Sequence, residues 1–353
     1  MTKKMQVVQM HDVGDIRLEE MDIPSPVPGE VLLKIAACGV CGSDLARMYK
    51  KGPHKLPLVT GHEFSAYIAE LGEGVEGFEV GDLVTVPPML PCFECAPCVQ
   101  GHFSLCENYD YYGSRRHGAY AQYVAGPAKL LLKVPAGLDA RAAAMVDPAA
   151  IALHAIWRTN LTAGSSVLVM GGGGPIGLFA VQWARIMGAT RIVACDVSEE
   201  KAKLALEAGA DEAVTSYDDL LAVADKGFDV VVETTGVAKV ADQAVSVTAR
   251  HGSVTLIGIP PAEVEISAAS WARLMRLEIN ICGSWNSFSA PFPGKEWTTT
   301  LEHMARGNLK WKFMITHELP LDKVDETIRS MYERTIHSSK VLFLPNGADL
   351  PTN

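Results

Sequence analysis

The stretch that most restricts the fold of this chain runs from residue 166 to residue 196. A short β-branched run, SVLVM (166–170), leads into the turn GGGGPIG (171–177), a helix-length segment LFAVQWARIMGA (178–189) and a second strand-like run, RIVACD (191–196). Gly172, Gly174 and Gly177 satisfy G-x-G-x-x-G, and Asp196 follows 19 residues after Gly177. A glycine turn of this kind, placed between strand and helix and followed by an acid at the end of the next strand, reads as a dinucleotide site. Gly172 is expected to permit the tight turn, Gly174 the close approach of backbone to a pyrophosphate, and Gly177 the packing of helix on sheet. The helix N-terminus offers free N–H groups to the anion. Asp196 would accept hydrogen bonds from the adenosine ribose and repel a 2′-phosphate, which favours NAD over NADP. The alternative is a glycine-rich turn without a ligand.

The pattern continues with EAVTS (212–216), DVVVETTG (229–236), GSVTLIGI (252–259) and EINICGS (278–284), most of them separated by helix-length stretches such as SEEKAKLALEAGA. Continuous apolar strands alternating with amphipathic helices predict an α/β unit, a doubly wound parallel sheet covered on both faces, the Rossmann arrangement. The first 150 residues differ: EVLLKIAACG and SAYIAELGEGV are broken by Gly- and Pro-rich loops, which predicts a β-rich domain. A chain of 353 residues exceeds what one core usually supports. The expected division is 1–153 for the β-rich domain and 154–289 for the nucleotide domain. Residues 290–353, with helical EWTTTLEHMARG and LDKVDETIRSMYER and strand-like KVLFLP, are expected to return to the first domain and leave a cleft between the two.

Residues 92–106 read CFECAPCVQGHFSLC and hold four of the eight cysteines. The spacing lets Cys92, Cys95, Cys98 and Cys106 converge on one tetrahedral ion, a closed all-thiolate zinc site in a lobe of about 89–110. The other cysteines (Cys38, Cys41, Cys195 and Cys282) are scattered, which suits a reducing cytoplasm better than a disulfide framework. A formal net charge of −10 argues against a nucleic-acid surface. No run approaches the ~18–20 apolar residues of a membrane span, and a soluble, unexported protein with no membrane partner is expected.

Two further turns carry metal-binding chemistry. AACGVCGSDLAR (36–47) and GHEFSAYI (61–68) place Cys41 and His62 beside glycines, and a thiolate with an imidazole suits zinc. A structural thiol and a core histidine are the alternative reading. Cys38 forms C-G-V-C with Cys41 but lacks a thioredoxin-like context, and is read as a neighbour without a role.

In chain order, CGSD, GHE, the four-cysteine loop, Asp147-Pro148, and GGGGPIG with Asp196 make the sequence resemble the zinc-dependent medium-chain dehydrogenases along nearly its whole length. It is most similar to the polyol branch. LPCFECAPCVQGHFSLCENYDYYGSRR (90–116) and GSWNSFSAPFPGKEW (283–297) resemble members that act on sugar-alcohol phosphates such as galactitol 1-phosphate.

The resemblance implies a GroES-like catalytic domain and a catalytic zinc on Cys41 and His62, with an acid completing the set. Asp147 stands where members usually have glutamate; being one methylene shorter, it leaves Glu63 or water as alternatives. Ala66 replaces a usual glycine. Leu45 stands where some relatives pass the proton through histidine, so Ser43, with His54 or Glu63, is expected to serve. The four-cysteine site is then structural, giving two zinc ions per chain. The cofactor residues implied are Gly172, Gly174, Pro175, Ile176, Gly177, Asp196, Lys201, Thr234, Gly258, Ile259 and Ser284. The substrate candidates are Ser43, His54, Arg115 and Lys295, with Arg47, Arg116 and Asn286 beside them; a solvated Arg115–Arg116 pair is the bland alternative.

The implied reaction is oxidation of a secondary hydroxyl of a sugar alcohol or its phosphate to a ketone, with hydride transfer to NAD. The alternatives are an unphosphorylated polyol or amino polyol such as sorbitol, a zinc-free quinone or enone reductase, and a non-catalytic NAD-binding protein. A homodimer or homotetramer is expected, with the strand EINICGSW pairing across a twofold axis.

Overall fold

The computed structural model describes residues 3–348. The chain divides into two compact units, Met1–Asp147 with Phe288–Ala305 and Ile315–Asn353, and Pro148–Ser287 with Arg306–Met314. The crossings therefore fall at Asp147/Pro148 and Ser287/Phe288, a few residues before those expected, and residues 306–314 visit the nucleotide unit a second time. A side chain explains that visit. Gln182 donates to the Lys310 carbonyl at 2.9 Å and accepts from the Lys310 amide at 2.7 Å, pinning the segment to the first helix of the sheet.

In the nucleotide unit, six strands run parallel in the order Glu212–Val214, Arg191–Cys195, Ser166–Met170, Phe228–Glu233, Thr248–Leu256 and Asn280–Gly283. The strand order reverses beside Ser166–Met170, so the glycine turn that follows sits at the switch point of the sheet. Val167, Leu168, Val169, Val230, Val231 and Val232 are fully buried, as strands covered on both faces require. The first helix, Pro175–Ile186, begins with proline where its missing N–H costs nothing. The next, Glu199–Glu207, is capped by Ser198, whose hydroxyl accepts from the Lys201 amide.

The other unit is built on a seven-stranded sheet. Its centre is Glu30–Gly39, antiparallel to Glu63–Leu71 on one side and to Lys340–Phe343 on the other. The tail thus returns to the first unit as its own strand. Val7, Leu33, Ile35, Phe64, Ile68, Tyr120 and Phe343 fill the core. Gly39 pairs with both Glu63 and Leu342, so three chain segments 24 to 303 residues apart meet where the central strand ends. No helix among the described residues is long and apolar enough to cross a membrane.

Candidate metal centres and dinucleotide site

The meeting point at Gly39 builds the first centre. Cys41 lies just past the end of Glu30–Gly39 and His62 just before Glu63–Leu71, so both project from the same edge. One ligand atom each from Cys41, His62 and Glu63 lies within 4.8 Å of the others. Asp44, wholly buried in the helix Gly42–Ala46, organises this cluster. It accepts from the Cys41 amide (3.2 Å), the Tyr120 hydroxyl (3.2 Å) and Arg47 (2.8 Å), and its carboxylate stands 3.3 Å from His62 Nδ1. Burial opposes the Asp44 charge, but His62, Arg47 and the Cys41 amide hold its pKa down at about 2. Burial likewise opposes an imidazolium at His62, yet Asp44 and Cys41 carry its pKa well above the ordinary value.

Across the cluster, Lys340 bonds the Glu63 carboxylate and donates to the Val40 carbonyl at 3.1 Å. Both side chains of this ion pair are almost fully buried. Asp147, in the first turn of the helix Val146–Trp157, is buried and close enough to feel Glu63, His62 and Lys340. Burial and the Glu63 charge push its carboxyl up to about 7. Its oxygens do not join the convergent trio, so of Glu63 and Asp147 it is Glu63 that converges with the thiol and imidazole. A half-buried thiol, a buried imidazole and two buried, mutually repelling acids are a donor set that fits zinc, whose charge relieves the repulsion.

The four-cysteine loop forms the second centre. Cys92, Cys95, Cys98 and Cys106 offer sulfurs within 4.8 Å of one another. The Sγ separations are 3.5 Å (Cys92–Cys106), 3.9 Å (Cys95–Cys106) and 4.0 Å (Cys92–Cys98), near the ~3.8 Å edge of a tetrahedron with Zn–S bonds of about 2.3 Å. The Cys95 amide reaches Cys92 Sγ at 3.4 Å and the Cys92 amide reaches Cys106 Sγ at 3.3 Å. Amides on Glu94 and Cys95 are the leading reason the Cys92 thiol falls to about 6. The site fits zinc with no open position.

In the nucleotide unit the turn differs in one detail from expectation. The left-handed residue is Gly171 (φ +77°), not Gly172. Gly172 is required for another reason, since a Cβ there would lie 2.7 Å from that of Ala194. A Cβ on Gly177 would fall 2.2 Å from the Gly171 carbonyl, the close helix packing expected of it. On Gly174 it would meet only the Gly171 carbonyl at 3.5 Å, leaving open space at the start of the helix. That cradle suits a pyrophosphate.

Asp196 accepts from the Gly173 amide (3.0 Å) and the Val197 amide (2.8 Å), with Lys201 Nζ at 3.9 Å. Thr234 donates to the Met170 carbonyl at 2.8 Å, tying adjacent strand ends. A Cβ on Gly258 would overlap the Gly236 amide, Ile259 is exposed, and the buried Ser284 hydroxyl has no hydrogen-bond partner among the described residues.

The substrate candidates fall into two groups. Arg116 is engaged by Glu30 (3.9 Å) and Asp110 (3.7 Å) and lies over Tyr112. Arg115 has no carboxylate partner among the described residues; its Nε is buried without a hydrogen bond and its guanidinium lies 4.5 Å from the Tyr109 ring centre. The Tyr109 ring is 6.2 Å from Tyr111, which is 5.6 Å from His62, so the aromatics link Arg115 to the metal cluster. Burial and the charges of Arg115 and Arg47 lower the His54 pKa. Ser43, His54 and Lys295 are exposed. Asp44, Lys340 and Gly39 escaped the sequence reading, although Asp44 stands inside the CGSD motif.

The alcohol dehydrogenase GroES-like domain matches residues 27–136 and the zinc-binding dehydrogenase domain matches residues 175–306. Galactitol 1-phosphate 5-dehydrogenase of Escherichia coli K12 is 33% identical over 339 residues, 94% of this chain and 97% of its own. Sorbitol dehydrogenase of Halalkalibacterium halodurans is 32% identical, covering 97% and 99%. The crystal structure of galactitol-1-phosphate dehydrogenase from Escherichia coli superposes with a TM-score of 0.91 at 33% identity over 97% of this chain and 100% of that one. With both metal donor sets and the dinucleotide turn in place, the chain belongs to the zinc-dependent medium-chain dehydrogenases, in their polyol branch, and is an NAD-linked oxidoreductase.

Proposed function

We propose that this enzyme oxidises a secondary hydroxyl of a sugar-alcohol phosphate to a ketone with NAD as hydride acceptor. The convergence of Cys41, His62 and Glu63 at the strand end carries the reading. When bound, zinc lowers the acidity barrier of the substrate hydroxyl and the nicotinamide takes up the hydride. Cys41 and His62 hold the metal, with Glu63 as the nearer carboxylate and Asp147 as the second. Asp44 orients the His62 ring, as outer partners of metal-binding histidines do. Ser43, exposed two residues after Cys41, receives the hydroxyl proton and passes it to solvent. Asp196, held by the Gly173 and Val197 amides, faces the ribose hydroxyls and disfavours a 2′-phosphate.

Arg115 supports the phosphorylated substrate. A guanidinium without a carboxylate partner, beside Arg47 and His54 and joined to the metal cluster through Tyr109 and Tyr111, offers charge-assisted bonds to a phosphate. The test is initial-rate NADH or NADPH formation on a panel of polyols and their 1-phosphates, alongside metal content. A preference for the phosphates with NAD supports the reading; equal rates on sorbitol and its phosphate return it to an unphosphorylated polyol.

The exposed edge strand Asn280–Gly283, with Ile281, Trp271 and Met275 exposed nearby, supports pairing with a second copy. Eight free thiols suit a reducing cytoplasm.

A further inference from the structure

The helix Gly42–Ala46, which carries Asp44, and the single π-helical turn Arg47–Lys51 that continues it are too short to hold their shape alone. They are held from outside. The Tyr49 hydroxyl reaches Asp325 Oδ1 at 2.6 Å and the Asp325 carbonyl at 3.0 Å, on the helix Val324–Glu333. Arg329 of the same helix lies 5.0 Å from the Tyr49 ring centre and bonds the Asp325 carboxylate at 3.2 and 3.3 Å. Tyr332 packs against Tyr49 with ring centres 5.5 Å apart. From the other side, the Gly14 amide donates to the Met48 carbonyl at 2.8 Å, and Arg329 donates to the Gly14 carbonyl at 3.4 Å.

Successive helical residues turn by about 100°, so residues two apart project to opposite sides. Arg47 accordingly bonds Asp44 at 2.8 Å while Tyr49 bonds Asp325. Single π-turns occur often at functional sites, where the extra residue redirects a side chain.

We propose that Tyr49 is a positioning residue: its latch to Asp325 holds the π-turn in the register that aims Arg47 at Asp44 and at the anionic end of the substrate. This rests on the phosphate reading above for its kinetic consequence, but not for its structural one. The latch acts on binding, so it should appear in KM rather than kcat. No hydrogen bond or ring contact among the described residues joins Asp325 or Tyr49 to Cys41, His62 or Glu63, so the effect passes through Arg47.

The test uses the zinc-loaded full chain as wild type, Tyr49→Phe, Asp325→Ala and Asp325→Asn. In the first two variants, amide hydrogen exchange across residues 42–52 should quicken by about tenfold. KM for the polyol phosphate should rise about fivefold, as for one lost hydrogen bond, with kcat within about twofold and zinc content unchanged. Asp325→Asn keeps an acceptor oxygen and should stay near wild type. In an Arg47→Ala background, Tyr49→Phe should add no further rise in KM. Unchanged exchange, an unmoved KM, or full multiplication of the two effects would overturn the proposal. If the wild type turns over no polyol or polyol phosphate, the functional reading fails separately. Amide exchange across residues 42–52, which needs no substrate, then decides the latch: quickened exchange in Tyr49→Phe supports it, and unchanged exchange overturns it.

Discussion

Lys340 enters the catalytic unit 277 residues after Glu63 and closes a buried ion pair with it, directly over the α-carbon of Gly39. A Cβ at residue 39 would lie 2.7 Å from Lys340 Cε and 2.8 Å from the Glu63 carboxylate. Glycine is therefore required here by crowding rather than by backbone conformation. Gly39→Ala should destabilise the protein by about 1–3 kcal/mol, the usual cost of overpacking, and lower zinc occupancy by displacing Glu63. Thermal unfolding and metal analysis of the purified variant check both effects.

Asp147 supplies a pH signature of the zinc-free protein. Its folded pKa of about 7 lies above the ordinary 3.8, so the carboxyl must stay protonated in the fold while the unfolded chain ionises. The resulting penalty is absent below about pH 4, grows as pH rises, and levels off above the folded value. It reaches on the order of 4 kcal/mol at most. Asp147→Asn should accordingly match wild type near pH 4 and be the more stable chain at pH 8 after chelation. Thermal unfolding in chelator at the two pH values measures this; equal stability at pH 8 would show that Asp147 is not strained.

Arg115→Ala should separate substrate classes. Loss of a charged hydrogen-bond donor costs about 1.5–3 kcal/mol, so kcat/KM for a polyol 1-phosphate should fall by roughly 10- to 100-fold. The unphosphorylated polyol should lose much less. Parallel kinetics on the two substrates provide the check, and equal losses would remove Arg115 from the phosphate site.

Cys98→Ser should act on folding before chemistry. The four-cysteine lobe has little secondary structure beyond the short helix Ala96–Val99, one 3₁₀ turn and the two-residue strands Met89–Leu90 and Asp110–Tyr111, so its metal supplies order that so small a sheet does not. The lobe also grips residue 288, where Ser104 accepts from the Phe288 amide at 2.9 Å. Lower yield and a lower unfolding temperature are expected, with kcat of the surviving folded fraction close to wild type. Differential scanning calorimetry with zinc analysis tests this.

The nucleotide unit was legible because its strands are buried on both faces. Runs such as SVLVM and DVVVE must be apolar at their centres on both faces, and each marks a strand without reference to the rest of the chain. Cys41, His62 and the four cysteines stood out through local motifs. Lys340 did not, because KVLFLP reads as a plain strand and nothing local says that its lysine is buried against Glu63. The second visit of residues 306–314 was hidden for the same reason, since nothing local marks Lys310 as the partner of a glutamine 128 residues away. Gly171 and Gly172 exchanged roles because four consecutive glycines satisfy the turn pattern without saying which adopts positive φ.

The most direct measurement follows zinc content and polyol-dependent NADH formation in the same sample as a chelator is added, with Cys41→Ser in parallel. The account predicts two zinc ions per chain at the start, loss of turnover in step with loss of the more accessible ion, and an inactive but folded Cys41→Ser protein. Undiminished NADH formation by protein stripped of zinc, or by Cys41→Ser, would contradict it.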